Sequence, residues 1–169
     1  DAASWRAQDA GFINALRGQA AEVLRCAERC AAHWEKFPWA GAREKAIAIR
    51  LRGLGHELEK NYLAALEAYQ EALSLWRSIA PESQAVALAL NGLAGVEHMQ
   101  GDYAAAEGDY REALRIAKKV NHREGVAIYT GNLAELRLKQ EDWAAAEELA
   151  RQALGLDEKV GRVELIGLD

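Results

Sequence analysis

Three segments of this chain can be laid under one another with nearly every buried-type position in agreement. They are Tyr62 to Leu73 (YLAALEAYQEAL), Tyr103 to Leu114 (YAAAEGDYREAL) and Trp143 to Leu154 (WAAAEELARQAL). Each opens on an aromatic residue and carries Ala three residues on, at Ala65, Ala106 and Ala146. Tyr69, Tyr110 or Ala150 follows at the seventh position, and Ala-Leu at the tenth and eleventh. The period is 41 residues, then 40. Self-similarity at such a period means that one supersecondary unit recurs and that each copy buries its apolar face on its neighbours.

The unit is helical. Only two prolines, Pro38 and Pro81, interrupt 169 residues, and apolar positions such as Ala65, Leu66, Tyr69, Ala72, Leu73 and Trp76 follow helical spacing. Upstream of each aromatic lies a second helical segment with a small residue nine positions earlier, at Gly53, Ala94 and Ala134; Leu93 and Leu133 precede it in the later copies. Lys60-Asn61, Gly101-Asp102 and Glu141-Asp142 separate the paired segments, and Asn or Asp there predicts a cap on the helix that follows. Each repeat therefore reads as a helical hairpin. Gly53, Gly55, Gly92, Gly95 and Gly131 fall inside predicted helices. Each costs about 1 kcal/mol relative to Ala, which predicts close backbone approach at all five.

The pattern resembles the tetratricopeptide repeat family, whose signature is a small residue and Leu in the first helix, then an aromatic, Ala, an aromatic and Ala in the second. The likeness covers residues 46–160, with Arg52 where the signature has Leu and Ala150 where it has an aromatic. The period exceeds the usual 34 or so. That length is similar to the long-repeat branch of kinesin light chains and the sensor arms of some bacterial regulators. The resemblance implies an all-α solenoid of antiparallel helical hairpins, a right-handed superhelix of about eight helices.

The expected divisions are a divergent hairpin over 1–41, repeats over 42–80, 81–120 and 121–159, and a truncated or capping helix opening at 160–169. In the first, Val23, Ala27, Cys30, Ala31 and Trp34 sit 42 residues before Ala65, Tyr69, Ala72, Leu73 and Trp76. Phe37-Pro38-Trp39-Ala40-Gly41 is expected to end that hairpin. Trp5 and Trp39 have no repeat counterpart and are expected to pack on it. The chain opens on Asp1 and not Met, which reads as a trimmed or excised segment.

Charge and composition narrow the partners. Twenty-one Lys and Arg against 26 Asp and Glu leave a net charge of −5, which opposes a nucleic acid or an anionic membrane surface. Apolar runs fall short of the roughly 20 residues that span a bilayer, so no membrane partner is expected. Two cysteines in a chain this long indicate a reducing compartment, and a cytoplasmic location is expected. Lys118, Lys119, His122 and Arg123 form the one cationic cluster, near a predicted helix end where cations are favoured.

Catalytic and cofactor chemistry has little footing. Cys26, Cys30 and His33 share one helix face at i, i+4 and i+7, but a fourth metal ligand is not nearby in sequence. Cys30 also occupies a repeat position normally held by a small buried residue, which makes a packing role the expectation and a metal site not. His56, His98 and His122 lie on separate elements, with no Ser, Cys or Asp at a recognisable catalytic spacing. Gly92 to Gly95 (GLAG) lacks the strand and the Gly-Lys-Ser/Thr of a phosphate loop. No cofactor and no enzyme activity are expected.

The resemblance places the first helices on an inner wall that takes a peptide. Matching positions are Arg50, Leu54, Glu57, Asn91, Gly95, His98, Asn132, Glu135 and Lys139. Asn91 and Asn132 stand out, because an amide offers both a donor and an acceptor to a peptide backbone. The function read from this is a non-catalytic protein–protein interaction module, binding a peptide or partner domain as part of a larger regulatory or scaffold protein. The alternative is the ligand- or signal-peptide-sensing arm of a regulator; an enzyme ranks third. Apolar residues Leu149, Leu156, Val160 and Leu165 near the end also suggest a homodimer through the C-terminal end.

Overall fold

The structure, a computed structural model, describes residues 2–36 and 41–166, with side chains over 7–36 and 41–156. Trp5 and the segment Phe37-Pro38-Trp39-Ala40 lie outside the described side chains. Among the described residues there are eight α-helices and no strand: α1 Ala2–Leu16, α2 Ala20–Glu35, α3 Ala42–Leu58, α4 Tyr62–Ile79, α5 Gln84–Gln100, α6 Tyr103–Lys119, α7 Arg123–Lys139 and α8 Trp143–Ile166. They form two compact units, residues 1–81 with α1 to α4 and residues 82–169 with α5 to α8.

One turn joins most of these helices. At the α3–α4 connection Asn61 N–H donates to His56 O, with Lys60 at φ 60°; at α5–α6 Asp102 N–H donates to Glu97 O, with Gly101 at φ 85°. At α7–α8 Asp142 N–H donates to Arg137 O, with Glu141 at φ 62°. This reach back over five residues across a left-handed residue closes the orphan carbonyls of the ending helix. The next side chain then caps the new helix: Asn61 accepts from Ala64 N–H at 3.4 Å, Asp102 from Ala105 N–H at 3.1 Å and Asp142 from Ala145 N–H at 3.2 Å. The same backbone pattern recurs at Gln19 and at His122, with Gly18 and Asn121 left-handed. Two or three residues between these helices leave no room for anything but an antiparallel hairpin.

In the first unit α1 packs on α2, α2 on α3 and α3 on α4, with α1 also reaching α3. Val23, Cys26, Ala27 and Leu51 form its core, and Phe12, Ala15, Leu54 and Leu58 pack around them. Val23, Ala27, Cys30 and Trp34 are buried like their counterparts Ala65, Tyr69, Ala72 and Trp76. Ala31 is exposed where Leu73 is buried, because a methyl group does not reach the interface that an isobutyl group fills. Gly53 faces the Tyr69 ring, so an added Cβ would stand 3.0 Å from it. Arg52, the departure from the signature, points outward and pairs with Glu71 of α4 at 2.7 Å.

In the second unit α5 packs on α6, α6 on α7 and α7 on α8, and α5 touches α7. Ala94, Ala106, Tyr110, Leu133 and Leu136 make the core, joined by Tyr103, Leu114 and Leu149. The repeat positions thus meet across hairpins, Ala and aromatic of one against the leucines of the next. Gly131 is an exception to the close approach expected of it, since the nearest atom to a built Cβ is Ala153 Cβ at 3.9 Å.

α8 also departs from expectation. It runs unbroken to Ile166, so the helix expected to open at 160–169 is its continuation; no proline intervenes to stop it. Leu149 joins the core and Leu156 is half-buried, while the side chains of Val160 and Leu165 lie outside the described residues. Among the described side chains of α8, the large apolar ones left exposed are Trp143 and Leu154.

Candidate functional site

The first helix of each hairpin presents the residues expected to meet a partner. In the first unit those of α3 are engaged internally. The Arg50 guanidinium lies 4.6 Å above the Phe12 ring of α1, a cation–π contact. Leu54 packs on the core around Leu51. Glu57 accepts a hydrogen bond from Tyr69 Oη at 2.7 Å. Burial pushes the Glu57 carboxyl above its ordinary range, opposed by the Tyr69 hydrogen bond, and the same burial with the adjacent Glu57 charge drives the Tyr69 phenol upward.

In the second unit the α5 and α7 faces lie side by side. Asn132 Nδ2 donates to Asn91 Oδ1 at 2.7 Å, linking the two residues singled out from the sequence. The bond uses one donor of Asn132 and one lone pair of Asn91. The Asn91 amide hydrogens and the Asn132 carbonyl are its remaining donor and acceptor. Along α7, Ile128, Asn132, Glu135 and Lys139 recur at helical spacing on one face; Ile128, Glu135 and Lys139 are exposed and Asn132 is half-buried. Along α5, Leu88, Gly92, Gly95 and Met99 do the same: Leu88 and the two glycines are half-buried, and Met99 at the end is exposed. Leu138 adds a further exposed apolar side chain at the edge of α7.

His98 is not on this surface. It is 9% exposed and packs edge-on against Tyr103, ring centroids 5.7 Å apart, because its position on α5 turns it toward the α6 hairpin. Sequence reasoning missed Glu97 beside it. One Glu97 carboxylate oxygen is buried without a hydrogen-bond partner, and burial together with Asp109 and Asp102 raises its pKa to about 7. The signal for it was present in the sequence as three acids on either side of one turn, but their distances were not.

The remaining candidates are placed in separate surroundings. Cys26 and Cys30 are both buried in the first unit, and among the described residues no three His, Cys, Asp or Glu side chains group around a common metal position. His56 Nδ1 stands 3.7 Å from Glu59 Oε2, and His122 Nε2 is 3.0 Å from Gln84 Nε2. In the cationic cluster Lys119, with nearby Arg115, bonds Glu82, and Lys118, Lys119 and Arg123 are all exposed. Among the described residues no helix is long and apolar enough to cross a membrane.

These observations define a repeat protein built from capped antiparallel helical hairpins. The model of the tetratricopeptide repeat matches residues 44–119 and 85–159, and the chain belongs to that family. No curated protein matches it in sequence. Solved structures that share the fold include BtubC (BKLC) from P. vanneervenii, at 21% identity and a TM-score of 0.70 over 85% of this chain and 56% of that one. Aspartyl phosphate phosphatase F from Bacillus subtilis aligns at 15% identity and a TM-score of 0.81, over 94% of this chain and 41% of that one. RapI in its apo form gives 15% identity and 0.78, over 94% and 57%. The chain therefore spans roughly half the length of these neighbours.

Proposed function

We propose that the α5–α7 face binds a peptide segment or helix of a protein partner, as a non-catalytic interaction module of a larger regulatory or scaffold protein. The observation that supports this reading is the pairing of Asn91 with Asn132 between exposed apolar side chains, Met99 on α5 and Ile128 and Leu138 on α7. Apolar side chains left in water beside fixed polar groups favour a ligand that covers the first and satisfies the second. Gly92 and Gly95, which have no side chain, leave a shallow floor where a peptide backbone lies close; half-buried Leu88 closes one end of it in apolar surface. Glu135 and Lys139 at the margin select the register of the ligand by charge. Family membership agrees with an interaction role. Arg50, Leu54 and Glu57 of α3 hold that helix's own packing in the first unit.

The test is a displayed random-peptide library selected against the whole chain. Selected peptides are expected to bind the parent protein and to lose about tenfold or more in affinity with Ile128→Asp, and with Asn91→Ala combined with Asn132→Ala, while the melting temperature stays within a few degrees. Peptides that bind these variants as well as the parent would show that this face is not the one used.

A further inference from the structure

α7 packs on both α6 and α8, and away from the α5–α7 face it floors a crevice between them. Helical spacing puts Leu133 and Arg137 on the side of α7 opposite Asn132 and Glu135. It likewise turns Ala145, Glu148 and Leu149 away from the Trp143, Ala150 and Leu154 side of α8. With Arg111 of α6 and Asp142 at the α8 cap, these residues line a cavity of about 400 Å³. Its floor is apolar, since Leu133 and Leu149 belong to the core of the unit. Its walls carry opposite charge. On one wall Arg111 and Arg137 both donate to Glu107 Oε1, Arg111 at 2.7 Å, so two guanidinium charges meet one carboxylate and the wall stays cationic. Arg137 also donates to Gln140, a neutral group. On the other wall Asp142 accepts from Ala145 N–H and Glu148 from Gln152 Nε2, so neither carboxylate charge is neutralised. Among the described residues no ion pair joins the two walls. Opposed charges held apart over an apolar floor set up a field across the crevice.

We propose that this crevice binds a free α-amino acid with an apolar side chain. Its carboxylate lies against Arg111 and Arg137, its ammonium against Asp142 and Glu148, and its side chain over Leu133 and Leu149. Charge complementarity carries the choice. An organic acid alone would face the α8 carboxylates and an amine alone the arginines, whereas a zwitterion meets both walls at once. The guanidinium N–H groups not used by Glu107 and Gln140 suit a carboxylate, which accepts from two of them in a fork. Size agrees, because the cavity stands near the small end of the range of about 300–1,000 Å³ that ligand pockets span. The site is separate from the α5–α7 face and does not depend on the function read from that face.

Isothermal titration calorimetry of the whole chain with L-leucine and L-phenylalanine tests it, beside N-acetyl-L-leucine and L-leucinamide, each of which lacks one of the two charges. At least one free amino acid is expected to bind with a Kd below about 1 mM, and leucine about tenfold or more tighter than either derivative. Arg111→Gln and Glu148→Gln, both at exposed positions, should each weaken binding about threefold or more. Glu148→Gln should also narrow the preference over the acetylated form. Ala145→Leu fills the cavity and should abolish binding at unchanged helical circular dichroism, while Ile128→Asp on the opposite side of α7 should leave it intact. Absence of saturable binding by both amino acids up to about 10 mM overturns the proposal. So does a derivative that binds as well as leucine, or binding that Arg111→Gln, Glu148→Gln and Ala145→Leu all leave unchanged.

Discussion

Replacing Glu97 by Gln isolates an acid that the fold holds at a clear electrostatic disadvantage. Its carboxylate sits in the last turn of α5, where the helix dipole already disfavours negative charge, with one oxygen buried and unpartnered and with Asp109 and Asp102 nearby. Its pKa rises from the ordinary 4.5 to about 7. The sign follows directly. Below pH 4.5 or so both the folded and the unfolded chain hold the proton and no penalty exists; as pH rises toward about 7 the unfolded chain releases it first, and folded stability falls. At full strength a gap of this size is worth about 3 kcal/mol, and water reaching the half-buried side chain screens that to about 1 kcal/mol. Urea unfolding of the parent and of Glu97→Gln between pH 4.5 and 8 measures it. Gln should be more stable by about 1 kcal/mol at pH 8, a rise of about 2–4 °C in melting temperature, and the difference should close toward pH 4.5. A difference that does not change with pH would refute the electrostatic account, and an absent one at pH 8 would refute the burial.

Two further outcomes follow from the backbone. Gly53→Ala and Gly131→Ala should have opposite signs. The first drives a methyl to 3.0 Å from the buried Tyr69 ring, which its bond to Glu57 holds in place, and should lose about 1 kcal/mol net. The second meets only Ala153 Cβ at 3.9 Å and should gain about 1 kcal/mol of helix propensity; thermal melts in which both variants shift the same way would contradict this. At the turns, Glu141→Gly relieves a left-handed side-chain residue at φ 62° and should stabilise by about 0.5 kcal/mol, while Gly101→Ala imposes the same strain and should cost about 1 kcal/mol. Equal effects from the two, measured by urea unfolding, would mean the turn is not the constraint.

The sequence by itself determined the hairpin, its repetition and its caps. Those are local facts: a stripe of Ala and aromatic residues at helical spacing, a small residue nine positions before each aromatic, and Asn61, Asp102 or Asp142 placed to close the first turn of the next helix. What it did not show was every quantity that depends on which atoms meet across hairpins. Gly53 and Gly131 look alike in the sequence, yet one abuts a tyrosine ring and the other has room for a methyl. Asn91 and Asn132 were legible as polar residues on the right face, but 41 positions separate them, and only packing of α5 beside α7 makes them partners. Trp143 matches Tyr103 in pattern and differs in burial, because burial belongs to the neighbour that covers a face and not to the residue that forms it. Periodicity fixes direction along one helix, and the free energy of a contact is set by a second surface that no local stretch of sequence contains.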